Sequence, residues 1–597
     1  LEFLAELSDM TAKVVALQIK PGIQRDGTQF AAPTYVDGKW VRFQNGLPRK
    51  IGGYKGIFLN GSGISRGMTM TSTNGLNYVV SGYEGGLEQW TTDNDDGIGF
   101  GPTPYSMTGF SSNANNLWQF DIGYDSTGGG VNNLVAHPGQ NLTNIDSITN
   151  TRPLYGAFPG TTLAPVGVFT ASGTTTSGSP NVTFAVTNVA IGAGLSVTGT
   201  GIPANTTVKS ASSVAGVWTA VLSANATASG TVTLTFDANI SVSGGVVVLH
   251  PYLFVYGNYG LIQNSSAGNF NDWVSADANA TNASTGKVVK GLPLRGGTTS
   301  PAGLFWTLDS VVRVTYAPST VNGINFYWKY DLVTSQSSIM SSQCVIEYDG
   351  IFYWCGVDRF LMYNGVVQEI PNNQNMNYFF DNLNYNQRQK VWCTKVPRWG
   401  EIWWFYPKGD ATECTDAIIY NVREKSWYDA GQAVGALRSA GTFSEVFRKP
   451  IWAGNVENTA GGYTLWQHET GMDQVYTNNV DAIDSYFETP ALGSYTGLVG
   501  STQQPGDNQW TRCERIEPDF VQSGQMSVVI IGKGYADDID QESDPYTFDP
   551  DTLKIDMREQ RREMRLRFRS SVANGNYFMG KVLLSLDTGD VRGTANP

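Results

Sequence analysis

The chain has 597 residues, a formal net charge of -13, 15% charged and 12% aromatic side chains, 68 glycines and 16 tryptophans. So few charges with so many aromatics is the reverse of a disordered composition, and no apolar run reaches the roughly 20 residues of a membrane-spanning helix. The acidic balance opposes tight gripping of a phosphate backbone, which needs clustered Lys and Arg.

Residues 1–9 (LEFLAELSD) lack the basic start and small-residue cleavage site of a signal peptide. Whether they survive from processing or the chain starts at Met10 stays open. Residues 1–57 read as an extended, turn-rich arm (PGIQRDGTQ, DGKWVRFQNGLPRKIGGY) with little core of its own, which needs another surface to lie on.

Beyond the arm, helical periodicity is nearly absent. An apolar strand, a Gly- or Asp-bearing turn and a second apolar strand recur at 78–90, 133–145, 252–264, 304–316, 351–363, 401–420 and 451–466. From Tyr252 the copies start about every 50 residues, the spacing of four-stranded propeller blades. Blades packed around an axis bury faces that one blade cannot bury alone. The expected fold is all-β: a β-propeller of six or seven blades formed by residues 58–162 and 247–480, interrupted by one insert and followed by a C-terminal domain.

The insert, residues 163–246, has almost no charge; between Pro153 and Phe236 the only charged side chain is Lys209. Its alternating Val, Thr and Leu predict a small Ig-like β-sandwich. Residues 481–597 predict a C-terminal β-sandwich of longer strands. There the period-2 rule puts Met564, Leu566 and Phe568 on one face and Arg565, Arg567 and Arg569 on the other. With Arg561 and Arg562 they form the densest positive stripe, a candidate subunit interface. The segment with Asp537, Asp538, Asp540, Glu542 and Asp544 is a candidate acidic lumen or loop.

The five cysteines, Cys344, Cys355, Cys393, Cys414 and Cys513, form no C-x-x-C pair and read as buried thiols of a protein assembled in a reducing compartment. His137, His250 and His468 lie in different segments and predict turn or core residues rather than metal ligands. Asp93, Asp95 and Asp96 offer oxygen ligands, but Gly97 sits one place early for a calcium loop and no Glu follows at the twelfth position. Nucleophile-elbow, Walker and dinucleotide fingerprints are missing, and no local pattern nominates a carboxylate pair for glycoside cleavage. The expectation is a protein without catalytic residues, metal or cofactor.

Three stretches resemble tail proteins of short-tailed bacteriophages, the tail nozzle, tubular B-type or packaged-DNA stabilisation hub components. They are LQIKPGIQRDGTQFAAPTYVDGKWVRFQNGLPRKIGGYKGI (17–57), LIQNSSAGNFNDW (261–273) and QRREMRLRFRSSVANGNYFMGKVLLSL (560–586). The resemblance implies a homohexameric, propeller-built tube in the virion tail, assembled in the host cytoplasm below the portal and adaptor rings. It would carry fibres or spikes and let double-stranded DNA pass without specific binding. In such a ring the arm and the Arg stripe would dock on the next subunit, and an acidic wall would keep DNA sliding. The alternatives are a receptor-binding protein contacting the host cell surface or a glycan depolymerase of the tail.

Overall fold

The computed structural model describes residues 13–28, 33–73, 75–92, 99–107, 110, 112, 117–126, 131–139, 152–157, 163–294, 301–444, 447–492, 510–534 and 538–588. Residues 1–9, the Asp93, Asp95 and Asp96 turn, and Asp537 therefore lie outside the described residues. The chain is all-β and divides into two compact units: residues 60–357 with 361–369, and residues 1–59 with 358–360 and 370–597.

The first of these units is built mainly from four-stranded antiparallel sheets whose strands follow one another along the chain. One runs Gly67–Thr73, Leu76–Tyr83, Gly86–Thr92, Gly99–Pro104; another Gly245–Leu249, Tyr252–Tyr256, Leu261–Asn264, Asn279–Asn282. Six of the seven hairpins expected from sequence are neighbouring antiparallel strands, four in this unit and two in the other, where Ile451–Glu457 and Tyr463–His468 belong to a six-stranded sheet. The remaining one keeps its first strand, Val131–His137, but this pairs with Gln119–Asp125 and Tyr155–Ala157, and residues 140–145 lie outside the described residues.

The insert is a closed barrel, not the expected two-sheet sandwich. Its strands Val168–Thr175, Asn181–Phe184, Ser196–Gly199, Thr206–Val214, Val217–Leu222 and Gly230–Asp237 each pair on both sides. Closure follows because Gly230–Asp237 pairs with Val168–Thr175 and also with Ser196–Gly199. Alternation announces an inward face but not whether the sheet meets itself. Val182, Phe184, Leu195, Val197, Val208, Leu222, Leu234 and Phe236 fill the interior. The expected limits are also too wide. Leu163 packs with Trp118 and Leu134, while Val166, Val242 and Val246 pack with Val135, Leu253 and Phe270, outside the barrel.

The other unit joins both ends of the chain, and the arm expected to dock on the next subunit pairs here within its own chain. Lys13–Ala16 pairs with Leu583–Thr588, and Asp37–Lys39 pairs with Ser485–Glu488. Val41–Gln44 and Leu47–Lys50 form a hairpin that continues through Asn576–Met579 to Phe520–Ser523. The surface the arm needed is its own C-terminal domain. Two C-terminal sheets meet through Phe487, Phe520, Phe568 and Tyr577, whose ring centroids lie 5.3–6.5 Å apart, so the expected sandwich carries strands from both chain ends. Close approach sets the sequence 429–437 (DAGQAVGAL): a Cβ on Gly431 (φ +65°) would lie 2.4 Å from the Gly38 carbonyl, and one on Gly435 2.2 Å from the Trp40 ring.

Candidate functional site

In the unit formed by the chain ends, described ionic side chains form three groups, two of which include arm residues. The first centres on Arg25, which follows the strand Lys20–Ile23. Its guanidinium donates to Asp429 Oδ1 at 3.1 Å and to the Gly38 carbonyl at 3.0 Å, and pairs with Asp37. Asp26 accepts from the backbone N–H groups of Asn377 (2.9 Å) and Tyr378 (2.7 Å), so the arm also caps the short helix Met376–Asn382.

Asp416 opens and Asp429 closes the antiparallel third and fourth strands of a four-stranded sheet, Asp416–Asn421 and Ser426–Asp429, so the two carboxyls lie at the same end of that pair. Both are buried. Burial, and then the charge of Asp429, push the Asp416 carboxyl up to about 7. Burial likewise raises Asp429, with Arg25 opposing it. Lys408 lies 3.7 Å from Asp416 Oδ2 and also meets the Tyr378 hydroxyl.

In the second group Arg42, 1% exposed, pairs with Glu401 at 2.8 Å and Glu469 at 2.7 Å. Burial alone would raise both acids. Arg42 offsets this enough to hold Glu469 below the ordinary carboxylate value, while Glu401, fully enclosed, stays above it. Glu401 further accepts from the Tyr428 hydroxyl at 2.7 Å and Trp403 Nε1 at 2.9 Å.

The third group brings the two sets of sequence-predicted residues together. Arg565 pairs with Glu488 at 2.5 Å and Asp540 at 2.6 Å; Arg567 pairs with Glu488 at 2.9 Å and Glu542 at 2.8 Å. Arg569 reaches Asp484 at 2.6 Å and Arg561 reaches Glu559 at 2.9 Å. Arg562 donates to the Gly534 carbonyl at 2.8 Å. Met564, Leu566 and Phe568 are buried as alternation predicts. The stripe expected to face another subunit is thus satisfied largely within its own chain, and Asp540 and Glu542 neutralise it instead of lining an acidic wall. Asp538 and Asp544 are exposed.

Sequence reasoning missed Arg25, Asp37, Arg42, Glu401, Asp416, Asp429, Glu469 and Glu488. The isolated charges inside apolar strands, as in EIWWFY and SWYD, were the available signal. The histidines behave as core residues where they are buried. His137 Nδ1 accepts from the Gly139 N–H at 3.0 Å, and His468 Nε2 accepts from Arg438 at 3.0 Å while its ring lies 3.8 Å from that of Trp452. All five cysteines are buried free thiols. No group of three or more metal-ligating side chains occurs among the described residues.

No family model matches the chain and no curated protein matches it. Among solved structures it is similar to an exo-β-1,3-galactanase from Phanerochaete chrysosporium, at 8% identity over 90% of this chain and 99% of the other, with a TM-score of 0.25. It is also similar to an ulvan lyase of a polysaccharide lyase family, at 8% identity over 70% of this chain and 96% of the other, TM-score 0.26. A glycoside hydrolase matches at 8% identity over 89% and 100%, TM-score 0.22. These matches to carbohydrate-cleaving enzymes correct the expectation that the chain is not an enzyme. At such scores they assign it no reaction, substrate or fold.

Proposed function

We propose that the chain is a structural component of a short-tailed phage tail, its four-stranded sheets set as six or seven propeller blades and six copies forming a ring. The observation that carries this reading is the sheet of Arg438–Thr442, Ile451–Glu457 and Tyr463–His468, which is continued by the early strand Tyr54–Gly61. A ring of blades must join its first blade to its last, and a sheet sharing strands from both ends of the repeat region supports such closure. The resemblance of 17–57, 261–273 and 560–586 to tail proteins supports the setting, with adaptor and portal rings, fibres or spikes and passing DNA as partners. Light scattering of the purified chain, followed by negative-stain imaging, is expected to give a six-fold ring. A monodisperse monomer overturns the proposal.

A second reading, glycan cleavage by the tail, is favoured by one feature, the buried carboxyl pair of Asp416 and Asp429 with Lys408 3.7 Å from Asp416. Turnover of a bacterial surface polysaccharide that Asp416→Asn abolishes, with the melting temperature preserved, supports it. Turnover unchanged in that variant removes it.

A further inference from the structure

We infer that the surface around Trp399 is a binding site for a single phosphate or sulfate group. Three guanidinium groups stack on this one indole: Arg42 and Arg49, each 4.7 Å from the ring centroid, and Arg398 at 4.9 Å. A fourth, Arg423, donates to the carbonyls of Arg398 at 2.9 Å and Pro397 at 2.8 Å, the turn that presents the indole.

The carboxylates present are already committed. Glu401 is buried against Arg42, and Glu469 accepts from Arg42 at 2.7 Å and from Trp399 Nε1 at 2.8 Å. Arg49, Arg398 and Arg423 make no ion pair among the described residues. Arg49 does donate to the Gln44 side-chain oxygen at 2.9 Å. Arg398 and Arg423 are exposed and Arg49 is half-buried, so incoming solute can reach them. Burial, then the charges of Arg42 and Arg398, pull the Arg49 guanidinium down from its ordinary value, with the charge of Glu469 opposing them.

A chain of net charge -13 has carboxylates in excess, yet among the described residues these three cations make no ion pair, although the charge of Glu469 acts on Arg49 and Arg398. An oxyanion relieves their repulsion, and planar guanidinium forks offer the paired N–H donors that a tetrahedral oxyanion accepts. Guanidinium groups already lie 4.7, 4.7 and 4.9 Å from the indole ring centroid, which favours an anion over a stacked sugar as the occupant. Duplex DNA needs an extended basic track, and this patch is local.

Isothermal titration with sodium phosphate and with sodium sulfate, at constant ionic strength set by chloride, tests the site. Both anions are expected to bind the wild-type chain, and Arg398→Gln or Arg49→Gln to weaken them by at least about tenfold. Arg398 is exposed, so its variant should melt as the wild type does in chloride alone. A sulfated disaccharide and free phosphate, run as separate arms, distinguish a glycan ester from a free anion as the source. Responses no larger than chloride, or wild-type affinity in both variants, overturn the inference. So does tighter binding of a short DNA duplex that both variants lose equally, which would make the patch a nucleic-acid contact.

Discussion

Arg42 has 1% of its side chain exposed and stands between Glu401, 0% exposed, and Glu469, 11% exposed. A buried ion pair adds little over an apolar substitute, but removing one partner strands the other's charge. Arg42→Met is therefore expected to cost about 3–5 kcal/mol in urea denaturation, and adding Glu401→Gln to recover part of that loss. Equal stabilities of the single variant and the wild type would show that the carboxylates need no cation. Asp416 gives a pH-dependent counterpart. Its folded-state value of about 7 lies above the ordinary 3.8, so between these pH values the folded chain binds more protons than the unfolded one. Stability from this group consequently falls as pH rises through that window and is level above it. Asp416→Asn removes the effect, so the variant should gain on the wild type from about pH 4 to about pH 7; parallel denaturation curves would contradict the assignment.

Elements separate into those their own sequence defines and those a partner defines. The barrel is self-contained: Gly167 and Ala238 at its neck are joined by a backbone hydrogen bond of 3.0 Å, which places its entry and exit side by side. Replacing residues 168–237 with a short Gly linker should leave a cooperative thermal transition in the remainder. Deleting 163–246 removes Leu163, Val166, Val242 and Val246 from other cores and should lose that transition. Circular dichroism melts of the two deletions decide between these boundaries, and equal behaviour would refute them. The hairpins were legible because alternation and turn residues are local signals. Barrel closure was not, because a strand's sequence does not state its second neighbour.

Across the whole molecule, a net charge of -13 is compatible with dense local positive charge. The Arg stripe illustrates how a sequence pattern can be right about faces and wrong about partners. Met564, Leu566 and Phe568 point into a core, yet Arg565 is 3% exposed because Glu488 and Asp540 enclose it. The arm is the same lesson over a longer span. Its lack of an internal core was visible, while its docking on strands hundreds of residues later was not. The six-fold ring we propose would be held by surfaces other than the arm strands already paired within the chain.

The sequence by itself determined the all-β class, the hairpin repeats, the charge-poor insert, the buried thiols and the inward faces of the C-terminal strands. Each depends on periodicity or composition read within a few residues. The tertiary structure alone decided that the insert closes into a barrel and that the arm completes the C-terminal sheets. It also decided that Asp416 sits with Asp429, and Arg49 and Arg398 with Trp399. Those outcomes depend on which distant segments share a low-dielectric interior or a surface, and the linear order of residues does not carry that proximity.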